Sequence, residues 1–197
     1  MTIVLASTSP WRAAMLRNAG VEIECVNPGV DEEEMKRAMR AEGALARDQA
    51  DALAEMKARR VSSRIPGALV IGADQILDFK GEAFDKPADK DAARDTLMRL
   101  RSERHELLSA AVIALDGAPI WRHVGRARLF MRPFTDAFLD DYLDRMGEEA
   151  LKTPGAYMLE GLGAQLFARI DGDYFTVLGL PLIETLGFLR VRGELTE

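Results

Sequence analysis

The first residues of the chain constrain its fold most strongly, because they predict a strand that turns directly into a helix. Residues 2–6 form a short apolar run that is typical of a buried strand. Ser9 is then a natural N-cap, and Pro10 suits the first helical position, which needs no N–H donor. Apolar residues follow as far as Gly20, where we expect the helix to end. A strand followed at once by a helix indicates a fold that layers helices on a sheet.

The same junction predicts a site for an anion. Free main-chain N–H groups at a helix N-terminus, with the helix dipole behind them, favour phosphate or carboxylate. Hydroxyls of Ser7 and Ser9 lie at this end, and Arg12 adds a planar fork of donors that suits phosphate oxygens. The alternative is an ordinary capped helix whose arginine lies in solvent, since capping residues begin most helices.

Composition excludes several classes of protein. The 197 residues are 48% hydrophobic, which is enough for one full core, and we expect a single domain over 1–197 with two lobes. A net charge of −6 argues against binding to duplex DNA or a membrane surface, since such proteins usually have a basic excess. We therefore expect no nucleic-acid partner and no membrane partner, and an anionic ligand must be bound by local cations.

The single cysteine, Cys25, excludes an internal disulfide and suits a reducing compartment. Because it lies in an apolar stretch, we expect an inert core thiol. The first apolar run is too short for a signal peptide, and no run reaches the length of a membrane-spanning helix. These features predict a cytoplasmic protein.

Helical and extended patterns alternate along the rest of the chain without a linker. They predict strands at 21–26, 68–73, 107–115 and 120–131, and helices over 31–60, over 91–100, after Thr135 and from Leu182. The order predicts an α/β or α+β fold without repeats.

Asp74 is the strongest single candidate for chemistry. It directly follows the apolar run 68–73, so we expect it at the end of a central strand, where open α/β sheets bind ligands. An aspartate at a strand end also serves often as a turn cap, and position alone does not separate the two interpretations. Taken singly, Lys57 and Lys86 are predicted as surface lysines, and 31–34 as a solvated helix start.

Short blocks in a fixed order span nearly the whole chain: Leu-Ala-Ser-Thr-Ser-Pro-Trp-Arg at 5–12, Asp-Glu-Glu at 31–33, Glu-Met-Lys-Ala at 55–58, Ile-Gly-Ala-Asp-Gln at 71–75, Lys-Pro at 86–87, His105, Gly-Ala-Tyr at 155–157, Glu-Gly at 160–161 and Gly-Leu-Pro-Leu at 179–182. Together they resemble the Maf family of nucleoside triphosphate pyrophosphatases, also described as septum-formation proteins. The resemblance implies an α/β fold similar to that of the inosine triphosphate pyrophosphatases. That fold is an elongated mixed sheet flanked by helices, with two lobes around a central cleft, and its members are often homodimers.

The resemblance also implies the reaction, which is hydrolysis of a nucleoside triphosphate to its monophosphate and pyrophosphate with a divalent metal, Mg²⁺ or Mn²⁺. Asp74 matches the family's catalytic aspartate, which accepts a proton. Asp31 and Glu32 fall in the family's acidic segment, and we expect one of them to help hold the metal, since hard cations prefer oxygen ligands. The positions that match the phosphate end of the site are Ser7, Ser9, Arg12, Lys57 and Lys86.

Three further positions indicate the substrate. Trp11, Gln75 and Glu160 resemble the branch of the family that hydrolyses 7-methyl-GTP, whereas another branch has Arg, Thr and Gln there and acts on pyrimidine triphosphates. Methylation at N7 makes guanine cationic, and an indole face attracts a flat cation by roughly 0.5–2 kcal/mol. A carboxylate at Glu160 would accept the N1 and N2 hydrogens of guanine. The alternative places Trp11 in the core and Glu160 in solvent.

The chain departs from the family pattern just before His105. Ser102 and Glu103 stand where many relatives have Ser-Gly, and Ser109 replaces a threonine. His105 is either a proton carrier or a hydrogen-bonded structural residue. Two other functions stay open: a house-cleaning enzyme with looser base recognition, and a regulator of septum formation that senses nucleotides without hydrolysing them.

Overall fold

The structure, a computed structural model, describes residues 1–196. Within them the strands are β1 (Ile3–Ala6), β2 (Glu24–Cys25), β3 (Leu69–Phe79), β4 (Glu82–Phe84), β5 (Arg104–Leu115), β6 (Ala118–Met131) and β7 (Phe167–Asp171). The α-helices are α1 (Pro10–Asn18), α2 (Glu32–Ala41), α3 (Ala46–Ser62), α4 (Lys90–Leu100), α5 (Asp136–Met146), α6 (Tyr174–Leu178) and α7 (Leu182–Val191), and 3₁₀ turns cover Gly147–Lys152 and Leu162–Leu166. None of the described helices has both the length and the apolar character that a membrane crossing requires.

The seven strands form one open sheet in the order β2-β1-β3-β5-β6-β7, with β4 paired to β3. β1 is parallel to both neighbours, so that Val4 lies opposite Glu24 on one side and Val70 on the other. β4 is antiparallel to β3, and β7 is antiparallel to β6. This mixed sheet flanked by helices confirms the predicted α/β class.

The chain divides into two compact units. The first unit contains residues 1–75, residues 108–125 and the chain from Asp173 onward, and the second contains residues 76–107 and 126–172. In the first unit the central strands are buried on both faces. Ile71 packs in a cluster with Leu16 and Leu189, whereas Val70 packs with Val61 of α3. Because side chains alternate along a strand, burial on both faces explains the continuous apolar run.

Two predicted helix starts, at Ser9 and at Thr135, are confirmed. Ser9 caps α1, where its Oγ accepts the main-chain N–H of Arg12 at 3.4 Å, and Pro10 takes the first helical position. Thr135 caps α5 in the same way, since its Oγ1 accepts the N–H of Phe138 at 3.2 Å.

Strand β3 is longer than predicted. It runs through Asp74 to Phe79, because the buried pattern continues and β4 returns beside it with Leu77 opposite Phe84. Asp74 therefore lies inside a strand, and the expectation that it occupies a strand end is wrong.

Two other predicted elements are shorter than expected. The strand predicted over 21–26 is reduced to β2, and Cys25 is exposed, so the prediction of an inert core thiol is wrong. The helix predicted over 31–60 is divided into α2 and α3. Gly43 lies between them with a φ of 74°, a conformation that glycine adopts without steric cost and that ends a helix.

Candidate active site

Three charged side chains from three elements meet in the first unit. Nζ of Lys57 in α3 lies 2.6 Å from Oδ1 of Asp74 in β3 and 2.9 Å from Oε1 of Glu32 at the start of α2. Lys57 and Asp74 are each only 5% exposed, whereas the side chain of Glu32 is 37% exposed. One ammonium group thus joins two carboxylates, and we call these three residues the carboxylate–lysine cluster.

A glycine in β3 allows α3 to come this close. Gly72 precedes Asp74 by two residues, so the two positions share the face of β3 that lies against α3. A Cβ atom at Gly72 would lie 2.6 Å from the main-chain nitrogen of Ala58 and 2.9 Å from its Cβ. No side chain fits in that space, so glycine is required for the close approach. α3 consequently rests on β3 at the point where Lys57 reaches Asp74.

The surroundings of Glu32 favour its charged form. Partial burial raises the pKa of Glu32, but the charge and hydrogen bond of Lys57, with smaller contributions from Lys36 and Arg12, outweigh it and bring the pKa below its usual value. Glu32 is therefore held as a carboxylate at neutral pH.

Arg12 is anchored beside this cluster. Its Nε donates to the carbonyl oxygen of Gly179 and its Nη1 donates to that of Ala73, both at 2.9 Å. Burial lowers the pKa of the Arg12 guanidinium, while the nearby charges of Asp74 and Glu32 raise it. Two main-chain hydrogen bonds therefore orient the guanidinium, and the interpretation of Arg12 as an arginine lying in solvent is wrong.

Ser7 and Ser9 order the loop that leads into α1. The N–H of Ser9 donates to Oγ of Ser7 at 3.1 Å, and Oγ of Ser9 accepts from the N–H of Arg12. Ser7 is buried and Ser9 is half-buried. Each hydroxyl accepts a hydrogen bond here and still carries a hydrogen that it can donate to an anion.

The carboxylates of Glu32 and Asp74 suit a divalent cation. Mg²⁺ is usually held by one or two carboxylates together with phosphate oxygens of the substrate. Both carboxylates contact the same nitrogen of Lys57, so each already places an oxygen beside one cation. Asp31 is occupied differently, because its Oδ1 accepts the N–H of Glu34 as the cap of α2. In residues 1–196 no three or more His, Cys, Asp or Glu side chains form a metal-binding group.

Gln75 faces away from α3 and is tied to the segment that contains α6. Its Nε2 has three acceptors within hydrogen-bond distance for its two hydrogens: the carbonyl oxygens of Thr176 and Val177 at 3.1 Å and 3.0 Å, and Oγ of Ser109 at 3.0 Å. Ser109 donates in turn to the same Thr176 carbonyl at 2.7 Å. Sequence reasoning missed this network, because no local pattern links residues so far apart in the chain.

Trp11 lies on α1 and is half-exposed. In the described part of the chain no aromatic ring contacts its indole, whereas the other tryptophan, Trp121, stacks on Phe188 with ring centroids 5.4 Å apart. Trp11 is absent from the buried core of residues 1–196, so the alternative that places it there is wrong.

Two predicted site residues belong to the second unit. Lys86 and Glu160 are both exposed there. Their assignment to the phosphates and to the base stays a prediction.

His105 is buried in the second unit against two aromatic rings. Its Nε2 is hydrogen-bonded to the Tyr157 hydroxyl at 2.6 Å, and its ring lies 6.1 Å from that of Phe167. Burial lowers the pKa of His105 to about 3 and raises the pKa of Tyr157 well above its usual value. The imidazole is uncharged at neutral pH, and this favours the hydrogen-bonded structural role over that of a proton carrier.

The fold and the site together define a class, an α/β protein with a mixed sheet and a buried cluster of charges against a central strand. Within that class the chain belongs to the Maf family, since the family described as Maf-like protein matches residues 2–192.

Curated relatives agree with this assignment. A protein of Caulobacter vibrioides is 55% identical over 98% of this chain and 97% of its own length. Proteins of Roseobacter denitrificans and Hyphomonas neptunium are each 54% identical, over 98% and 99% of this chain and over 97% and 98% of their own lengths. All three are named nucleoside triphosphate pyrophosphatase. The predicted family is therefore confirmed.

Proposed function

We propose that this protein hydrolyses a nucleoside triphosphate to its monophosphate and pyrophosphate. The name shared by relatives that match nearly the whole chain supports the reaction class. The observation that carries the site is the contact of Lys57 with both Asp74 and Glu32 at 2.6 Å and 2.9 Å, beside the guanidinium of Arg12. Fixed cations stabilise the negative charge that develops when a phosphate anhydride is hydrolysed, and a carboxylate can accept the proton of the attacking water.

Asp74 is the proton acceptor in this proposal. The reaction breaks the bond between the α-phosphorus and the oxygen that bridges the α- and β-phosphates. That oxygen leaves with pyrophosphate, and the oxygen of the attacking water becomes part of the monophosphate. Asp74 orients that water and accepts its proton, so it acts as the general base. Its low exposure keeps bulk water from competing for the carboxylate.

The negative charge that develops on pyrophosphate needs fixed donors. Arg12 supplies a guanidinium already oriented by two main-chain carbonyls. Ser7, Ser9 and the N-terminus of α1 supply hydroxyl and main-chain donors, and Lys57 supplies an ammonium group. Lys86 is also assigned to the phosphates, on the family resemblance.

We assign the divalent metal, Mg²⁺ or Mn²⁺, to the oxygens of Glu32 and Asp74. When bound, such an ion neutralises charge on the phosphates and lowers the pKa of water that contacts it. Asp31 is a weaker candidate, because its Oδ1 already caps α2. The cytoplasm, where the exposed thiol of Cys25 stays reduced, is the proposed compartment.

We assign 7-methyl-GTP as the preferred substrate. The half-exposed indole of Trp11 offers a face for the cationic base, since no other ring of residues 1–196 covers it. Two main-chain carbonyls, which only accept hydrogen bonds, face Nε2 of Gln75 and so fix the orientation of the amide. The amide oxygen is then the group that can bind the nucleobase. Glu160 is proposed to accept from N1 and N2 of guanine.

A nucleotide panel tests the proposal. Purified protein is incubated with 7-methyl-GTP, GTP, UTP, dTTP or ITP, with Mg²⁺ or Mn²⁺, and monophosphate and pyrophosphate are measured as initial rates. The fastest release is expected with 7-methyl-GTP. Comparable rates across the panel would support a broad house-cleaning enzyme instead, and no release from any nucleotide would overturn the reaction and favour a nucleotide-sensing regulator.

A further inference from the structure

Lys57 takes the position between two carboxylates that a bound cation would also take. Its Nζ lies within 2.9 Å of an oxygen of Glu32 and of an oxygen of Asp74. These are the two side chains that suit a divalent metal in this site. An ammonium group and a metal ion therefore compete for the same pair of oxygens.

The charges of the carboxylate–lysine cluster and of Arg12 cancel one another. Glu32 and Asp74 contribute two negative charges, and Lys57 and Arg12 contribute two positive charges. A dication entering from water would meet no net attraction, and it would meet repulsion from two nearby cations.

The structure also keeps Lys57 in place. The side chain is buried on α3, and α3 is held against β3 by the close approach at Gly72. Removing the ammonium group would leave both carboxylates without the cation that contacts them, which is strongly unfavourable. A polyphosphate changes this balance, because its oxygens give the lysine a new anionic partner.

We propose that Lys57 is an internal counter-ion that keeps divalent metal out of the site until a nucleotide enters. This inference rests on the proposed function. The polyphosphate takes over the ammonium group, the oxygens of Glu32 and Asp74 are released, and metal binding then follows nucleotide binding. Metal and nucleotide are thus strongly coupled, each raising the affinity of the site for the other.

Binding of Mn²⁺ alone, measured at neutral pH by calorimetry or by electron paramagnetic resonance, tests the proposal without turnover. Wild-type protein is expected to bind Mn²⁺ weakly. Lys57→Met removes the charge but keeps a side chain of similar length, and Mn²⁺ should bind about tenfold more tightly or better. Lys57→Arg keeps the charge and should stay weak. Lys80→Met is the control, because Lys80 is exposed and pairs with Glu103 at 3.0 Å in the second unit.

Equal Mn²⁺ affinity in wild type and Lys57→Met overturns the proposal, and so does an equal gain in Lys80→Met. Should Lys57→Met fail to fold, as judged by thermal unfolding, Lys57→Gln takes its place. Wild-type protein gives a further measurement: with a non-hydrolysable α,β-methylene analogue of GTP, protein-bound Mn²⁺ should appear at concentrations where it is absent without the analogue. Equal binding with and without the analogue overturns the proposal.

The two proposals fail separately. If wild-type protein releases pyrophosphate but Lys57→Met does not gain Mn²⁺ affinity, only the counter-ion role of Lys57 is lost. If no nucleotide is hydrolysed, the proposed function is lost whatever the Mn²⁺ titrations give.

Discussion

Gly72 lies so close to Ala58 that no residue with a side chain would fit at position 72. A Cβ atom at Gly72 would lie 2.6 Å from the main-chain nitrogen of Ala58, and the carbonyl oxygen of Ala54 would be nearer still. Helix α3 therefore touches the backbone of β3, and Lys57, one residue before Ala58, reaches Asp74 on the next position of the same strand face.

The first prediction concerns this contact. Gly72→Ala should force α3 away from β3, which costs about 1–3 kcal/mol in the free energy of unfolding and lowers pyrophosphatase activity at least about tenfold. Thermal unfolding and initial rates measure the two effects. Gly187→Ala is the control, since Gly187 lies in α7 with open space around its Cα. It should stabilise the protein by about 0.5–1 kcal/mol with activity unchanged. Unchanged stability and activity in Gly72→Ala would contradict the close-contact argument.

Local signals in the sequence predicted the parts of the molecule that depend on neighbouring residues. Ser9 with Pro10, and Thr135, identified helix starts because capping acts over three residues. The apolar run before Asp74 identified a central strand, because a strand buried on both faces needs no polar alternation.

Other parts depend on contacts between distant residues. The sequence predicted too short a β3, because β4 pairs with its second half. Polar Asp74 and Gln75 can lie inside this strand because residues of other elements bind their side chains. The resemblance gathered Lys57 and Asp74 into one site, but nothing in the sequence indicated that Lys57 would join Asp74 to Glu32. Gly72 gave a weak signal as a glycine inside a strand pattern, which often marks a close backbone approach.

The second prediction concerns Asp74 as the proposed proton acceptor. Asp74→Asn keeps the shape of the side chain and its hydrogen bond from Lys57, but an amide is not a base. At saturating metal ion, the turnover number kcat should fall by roughly 10²–10⁴-fold, while the KM for the nucleotide changes little. Initial rates over a range of substrate concentrations measure both. Asp78→Asn, in the same strand where Oδ1 of Asp78 accepts the N–H of Gly81, is the matched control and should keep kcat. Retention of kcat in Asp74→Asn would remove Asp74 from the chemistry.

The third prediction concerns the pH dependence of stability. The folded protein keeps His105 neutral down to its lowered pKa of about 3, whereas in the unfolded chain the imidazole takes a proton below about pH 6.5. Between these values the unfolded state binds more protons, so the free energy of unfolding rises with pH by at most about 1.4 kcal/mol per pH unit from this group. His105→Gln should remove this contribution.

Denaturant unfolding at several values between about pH 4 and pH 6 measures the slope for each variant. His123→Gln is the control, because His123 is the other histidine of the chain. Its side chain is partly exposed, and its Nε2 lies 3.8 Å from Oε1 of Glu184. The same slope in wild type and His105→Gln would show that the imidazole does not titrate differently in the two states.

The fourth prediction separates an oriented arginine from a simple positive charge. Arg12→Lys keeps the charge, but one ammonium group cannot reproduce the planar pair of bonds to Gly179 and Ala73. We expect a loss of about 1–3 kcal/mol in the free energy of unfolding and a clear rise in KM. Arg17→Lys, on the exposed side of the same helix, is the control and should change neither. Equal stability and KM in Arg12→Lys and wild type would mean that the two carbonyl bonds contribute nothing to the site.

The fifth prediction concerns the indole of Trp11. GTP and 7-methyl-GTP share every hydrogen-bonding group on the N1 and N2 edge, so the ratio of their kcat/KM values isolates the response to the positive charge. In wild type this ratio should favour the methylated nucleotide, and Trp11→Ala should lower the ratio by roughly 2–30-fold, in line with about 0.5–2 kcal/mol for a cation on an indole face. Trp11→Phe keeps a weaker aromatic face and should give an intermediate ratio. Initial rates with each nucleotide at low concentration measure kcat/KM directly. If both nucleotides lose the same factor in Trp11→Ala, the indole supports base binding without recognising the charge, and the choice of 7-methyl-GTP then depends on Gln75 and Glu160.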